Sequence, residues 1–349
     1  MKNMAKLRND MISKWIDVPY SILVVLAAGA SYNLFAYFQQ IGAIQGYGKE
    51  TMTAIKYTVL IGYYLGIIPG AIVRMNMPVL SYAIAAILAL ICFPVLGYIA
   101  ENGEGGTGTW ILMMVSLFFG AISGSFATIT AIVTVVKSFP KIEGILLIVI
   151  LIAYYKIAPY LEFSIRSGFF EEPSLLWYFV TLGVILAIIY AGAIVAVREV
   201  TIDGFVENLI QDYDKAGLFG FVFFELCLLG SFFVVALIYE NWFVGAILMI
   251  TFIVLNFFLV GIAFKIVYDK VSQTKKFEAR ERATRREMKF EQMLGESKYH
   301  SILWASFIVV GVCSTFNFNL FQIAFSYGKV DSADNLLDSF WAADMFARF

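Results

Sequence analysis

Nine long apolar stretches dominate this chain, and they decide what it can fold into. They cover residues 20–41, 53–73, 79–100, 109–136, 144–163, 175–197, 217–239, 243–267 and 301–327, and a tenth opens near 336. A helix needs about 20 apolar residues to cross a bilayer. Inside lipid every backbone N–H and C=O must be satisfied by the segment itself or by a closed barrel. A barrel would show short alternating strands, whereas these runs are continuous. Hydrophobic residues make up 60% of the chain, charged residues 15%, and mean hydropathy is +0.81. Soluble domains carry about 25% charged residues. The sequence predicts an all-α integral membrane protein, a polytopic bundle of nine to ten transmembrane helices.

The same residues exclude several classes of function. A net charge of −1 gives no electrostatic basis for binding nucleic acid. Cys92, Cys227 and Cys313 all sit in apolar runs, as small core residues rather than a disulfide framework. The single histidine, His300, has no Cys or His nearby, so no metal site is expected. No nucleophile motif, phosphate loop or HExxH appears, so neither enzyme activity nor a cofactor is expected.

The runs divide the chain. Residues 1–19 form a polar tail, 20–197 hold six spans, 198–216 form a linker, and 217–349 hold the remaining spans. Within the last part, residues 269–300 are highly charged. Basic Lys275, Lys276, Arg280, Arg282, Arg285, Arg286 and Lys289 alternate there with Glu278, Glu281, Glu287 and Glu291. Mixed charge at this spacing reads as a solvated cytoplasmic helix, with contact to anionic lipid as the alternative. Placing the N-terminus inside puts nineteen of the 25 Lys and Arg residues on that side, which fixes the expected orientation. Lys2, Lys6, Arg8 and Lys14 suit either a mitochondrial targeting helix or an uncleaved tail, and Asp10 and Asp17 weigh toward the tail. Which membrane holds the chain, the plasma membrane or an organelle's such as the mitochondrial inner membrane, is open.

Six spans, a linker and further spans make up the layout of major facilitator superfamily transporters. Several motifs resemble one branch of it. The first two spans contain Gly29-Ala-Ser-Tyr32-Asn-Leu-Phe35, a Gly46-Tyr47 turn and Gly62-Tyr-Tyr-Leu-Gly66-Ile-Ile-Pro-Gly70. The fourth and fifth contain Gly120-Ala-Ile-Ser-Gly124 and Phe139-Pro140-Lys-Ile-Glu143-Gly144. The ninth carries Asn317, Asn319 and Gln322, followed by Ser326-Tyr327-Gly328. Together these resemble the nodulin-like branch, which is related to the oxalate:formate antiporters. The resemblance implies an alternating-access carrier. In three places the chain departs from the pattern. Arg74 stands where the superfamily's gating loop usually has an acid, Glu143 replaces an arginine, and the last spans are missing.

Small residues at four-residue spacing let helices approach closely. Gly62, Gly66 and Gly70 form one such row and Gly120 and Gly124 another, so these glycines are the predicted packing residues, and the resemblance to the superfamily's gating loop adds Arg74 as a predicted gating residue. Polar residues inside spans are costly and often functional. Asn33, Lys156, Glu225, Asn317 and Gln322 are the predicted substrate or ion pathway. Glu225 reads either as a coupling carboxylate or as a hydrogen-bonded structural group. Lys156 reads as an anion partner or a lipid-headgroup contact. Two functions fit these features: a secondary transporter of a small organic solute, or a transport-inactive structural subunit of a larger membrane complex. The partners expected are the lipid bilayer, a small-molecule solute if the chain is active, and other membrane subunits or a chain supplying the missing spans.

Overall fold

A computed structural model describes residues 17–31, 41–42, 44–75, 77–103, 106–138 and 174–196. It also describes isolated helical positions between 147 and 158, between 247 and 258 and between 297 and 308. The chain forms two compact units, Met1–Glu278 and Ala279–Phe349. In the second unit the described positions Ser297, His300, Ser301, Trp304 and Ile308 are helical and exposed. All the long described helices belong to the first unit.

Every described element is α-helical, as the apolar runs require. Helix α1 spans Asp17–Ala30, α2 Lys49–Tyr64, α3 Ile67–Arg74, α4 Pro78–Asn102, α5 Thr107–Ser138 and α6 Leu175–Ala196. Four stretches are long and apolar enough to cross a membrane: Glu50–Val73, Pro78–Asn102, Thr107–Val136 and Leu175–Ala196. They coincide with the second, third, fourth and sixth runs of the sequence.

Local chemistry sets the ends. Pro78 occupies the first turn of α4, where its missing N–H costs nothing. Pro19 is tolerated in the first turn of α1 for the same reason. Helix α1 therefore takes in Asp17, Val18 and Pro19, and both Asp17 and Val18 are buried. The turn before α2 bends at Gly46, whose φ of 65° suits glycine.

The end of the unit that carries this turn is tied by side chains. Gln45 donates from Nε2 to the carbonyls of Ile99 (2.9 Å) and Ala100 (3.2 Å), capping the last turn of α4. A Cβ on Gly103 would come within 2.8 Å of Gln45 Oε1, so glycine there leaves room for the cap. Glu101 Oε2 accepts from the Leu176 N–H at 2.9 Å, and Ser174 Oγ accepts from the Trp177 N–H at 3.3 Å. Both satisfy first-turn donors of α6 that have no partner within the helix.

Helix α5 is the most enclosed of the four spans, with 61% of its apolar stretch buried. It packs on α2, α3 and α4, while α4 lies most extensively along α6. The α4–α6 contact is close because glycines face it. A Cβ on Gly97 would meet Leu176 O and Phe179 Cβ at 3.0 Å. One on Gly183 would meet Phe93 Cβ at 2.9 Å and Pro94 Cδ at 3.1 Å. The opposite faces are apolar and exposed: Ile87, Leu90 and Ile91 on α4, Trp177, Ile188 and Val195 on α6, and Tyr57, Ile61 and Tyr64 on α2. Helices apolar on every side suit lipid as the outer solvent.

Candidate functional site

The second span is not one helix. Helix α2 ends at Tyr64 and α3 starts at Ile67, with Leu65 and Gly66 between them. Pro69 accounts for the break, since it has no N–H to offer Leu65 O and its ring crowds that carbonyl. Leu65 O accepts instead from the Ile68 N–H at 3.3 Å, a shorter-range bond. Carbonyls around the break then lack regular helix partners, which within a membrane must be found elsewhere.

Ser125 of α5 supplies one. Its Oγ lies 2.6 Å from Tyr63 O and 3.3 Å from Gly62 O. Tyr63 in turn donates from its hydroxyl to Ser31 O at 2.5 Å, and Ser31 Oγ donates to Ala28 O at 2.5 Å. The end of α1, the break in the second span and the middle of α5 therefore meet at one polar junction. Glycines make the meeting sterically feasible. A Cβ on Gly124 would lie 2.8 Å from Ser31 Oγ, and one on Gly62 would lie 2.7 Å from Phe118 O and 2.9 Å from Ala121 Cβ. A Cβ on Gly29 would run into Tyr155 O and lie 2.6 Å from Ala158 Cβ. Tyr155 stands within electrostatic reach of Tyr63 and Tyr64, and also of Tyr190 on α6.

A second polar seam joins α4 to α5. Ser81 Oγ bonds Thr130 Oγ1, and Ser123 Oγ donates to Ala85 O at 2.8 Å. These hydroxyls are spent inside the protein, as interhelical links.

The predicted packing glycines occupy unequal environments. Gly62, Gly66 and Gly124 face close neighbours, Gly66 meeting the Ile129 side chain. Gly120 has only ordinary contacts, at 3.7 Å or more from Phe93 and Cys92. Gly70 faces nothing within 4 Å. Arg74 closes α3, and its side chain lies outside what is described. The predicted pathway residues Asn33, Lys156, Glu225, Asn317 and Gln322 lie outside the described residues, as do Tyr32, Glu143, Cys227 and Cys313. Cys92 is buried and forms no disulfide. Sequence reasoning did not single out Ser31, Tyr63 or Ser125. The available signal was Pro69 itself, whose missing donor marks where neighbouring carbonyls seek side-chain partners.

Chemically the junction holds carbonyl and hydroxyl oxygens and, among the described residues, no charged side chain. Nothing described in it pairs a nucleophile with a base, so it suits holding and releasing rather than bond-making. Among the described residues no group of three or more His, Cys, Asp or Glu side chains could hold a metal ion.

Comparison with known proteins adds one result. A family model described as Nodulin-like matches residues 14–266, which takes in α1 through α6. No curated protein and no solved structure matches the chain. A match over well more than half of the sequence, on a helical bundle of the expected kind, makes the chain a member of the Nodulin-like family.

Proposed function

We propose that this chain is a secondary transporter of the major facilitator type, moving a small organic solute by alternating access. The observation that carries this is the polar junction at the broken second span. Interrupted membrane helices with side-chain-satisfied carbonyls are where transporter folds build their binding sites, and a purely structural bundle has no need of the break. The tight glycine contacts at Gly29, Gly62 and Gly124 support the same reading, because smooth close-packed faces let helices rock against one another.

The test is counter-flow in proteoliposomes with panels of organic acids, amino acids and sugars. At least one panel should show saturable uptake that depends on the protein. Pro69→Ala, which restores a donor at the break, should lower that uptake by about tenfold, a barrier change of about 1.4 kcal/mol. Absence of uptake for every panel, or full uptake by Pro69→Ala, would count against the proposal.

A further inference from the structure

The end of the first unit that carries the Gly46 turn also carries exposed aromatic side chains. Tyr98, four residues before the end of α4, and Trp177, two residues after the start of α6, are both exposed. At the other end, the exposed side chains flanking the turn into α4 are Met75, Met77, Val79 and Leu80. Tyr and Trp gather where hydrocarbon meets headgroups. Tyr98 and Trp177 therefore place that boundary about one helical turn below the tied helix ends.

Lys56 is rooted deeper. It follows the start of α2 at Lys49 by seven residues, a rise of about 10 Å. It is half-buried, and among the described residues no ion pair or hydrogen bond engages it. The acids among the described residues are Asp17, Glu50 and Glu101, and none is placed to serve it. Asp17, beside Tyr82 near the start of α4, is at the other end. Glu101 accepts from the Leu176 N–H. Glu50 stands in the first turn of α2, six residues before Lys56 and so about 120° round the helix.

A cation on a lipid-facing surface is costly without an anion. Side chains on a helix lean toward its N-terminus, which for α2 is the Gly46 end, and the long lysine stem carries the ammonium further that way. The charge therefore emerges near the boundary set by Tyr98 and Trp177, at the depth of lipid phosphates. Tyr57, one residue on, is exposed and offers a hydroxyl as a second donor. Ile61 and Tyr64 continue the face of Tyr57 at helical spacing and are exposed too. Charge, then hydroxyl, then an apolar row match a phospholipid from headgroup to acyl chain. A zwitterionic headgroup balances its own phosphate, whereas an anionic one leaves a net charge for Lys56 to meet.

We infer that Lys56 and Tyr57 hold the phosphate of an anionic phospholipid whose acyl chain lies along Ile61 and Tyr64. The inference goes beyond the transport reading, since the lipid is detected without solute movement and survives a negative counter-flow result.

The test is photocrosslinking of the full chain in vesicles of phosphatidylcholine with a minor fraction of phosphatidylglycerol of the same acyl chains. A benzophenone amino acid takes the place of Ile61, or of Ile188 on the exposed face of α6 as the control, and mass spectrometry identifies the attached lipid. At Ile61 phosphatidylglycerol should be enriched about fivefold over its share of the vesicle, the scale of one lysine meeting anionic lipid. At Ile188 its share should equal that of the vesicle. Lys56→Gln should abolish the enrichment, Tyr57→Phe should lower it, and added inorganic phosphate should leave it unchanged. Lys56→Arg should keep it, which separates loss of the site from loss of the fold. Adducts at Ile61 in the vesicle's own proportions would overturn the site. So would an enrichment that survives Lys56→Gln, is undiminished in Tyr57→Phe, is equalled at Ile188 or is displaced by inorganic phosphate.

Discussion

Replacing Gly29 with alanine probes the helix packing most directly. The added methyl would sit 2.6 Å from Ala158 Cβ and collide with the Tyr155 backbone carbonyl. Carbon atoms pack at about 3.5–4.0 Å, so α1 and the neighbouring helical segment must part by about 1 Å. Neither neighbour is the free end of a flexible side chain, so neither can swing aside. Overpacking of this kind costs about 1–3 kcal/mol. Alanine returns about 1 kcal/mol through its better helix propensity. Because neither neighbour can yield, the upper part of that overpacking range applies, about 2–3 kcal/mol, and the net expectation is a loss of about 1–2 kcal/mol, or about 2–4 °C in the unfolding midpoint. Gly70→Ala supplies the control, because its methyl meets nothing within 4 Å. There only the propensity gain of about 1 kcal/mol remains, and the midpoint should rise. Both variants can be followed by the temperature at which the monodisperse size-exclusion peak is lost in detergent. If Gly29→Ala is as stable as the parent, or Gly70→Ala is the less stable of the two, the contact geometry does not govern stability and the reasoning fails.

Three further outcomes are expected. Ser125→Ala removes the hydroxyl that satisfies Tyr63 O and Gly62 O and should cost about 1 kcal/mol, the scale of interhelical hydrogen bonds in membranes; an unchanged midpoint would mean that another group serves those carbonyls. Gln45→Ala strips the cap from Ile99 O and Ala100 O and should cost about 0.5–1.5 kcal/mol, with faster amide exchange in the turn at 46–48. If the N-terminus lies inside, a cysteine replacing exposed Gly106, in the turn between α4 and α5, should react with a membrane-impermeant maleimide from outside intact cells; labelling only after permeabilisation would reverse the orientation.

Much of the fold was legible in the sequence because lipid imposes one rule on every span. An apolar run of sufficient length must be a helix, and the runs at 79–100, 109–136 and 175–197 became α4, α5 and α6 within a few residues at each end. The break in the second span was less legible. The row Gly62, Gly66, Gly70 suggests one continuous face, but Pro69 interrupts the ladder between its members, and the face ends before Gly70. Asp17 was hidden for a different reason. Charge next to a basic tail reads as solvent-facing, and only the packing of α4 across it shows that it is enclosed. Gln45, Glu101 and Ser125 carried no local signal, because each bonds a backbone group 54 to 75 residues away.

The caps of Gln45 and Glu101 bear on how the chain tolerates change in length. They peg α4 and α6 to the turn at 46–48 and to each other, so helix register is referenced to that end. An insertion of one residue near Gly103 would rotate Glu101 or the start of α5 by about 100° and strand the pegs. The turn at Met75 and Met77 has no such fixture among the described residues, and both side chains there are exposed. Added length should therefore be absorbed at that turn, which makes it the natural place to graft an epitope or a fluorescent reporter.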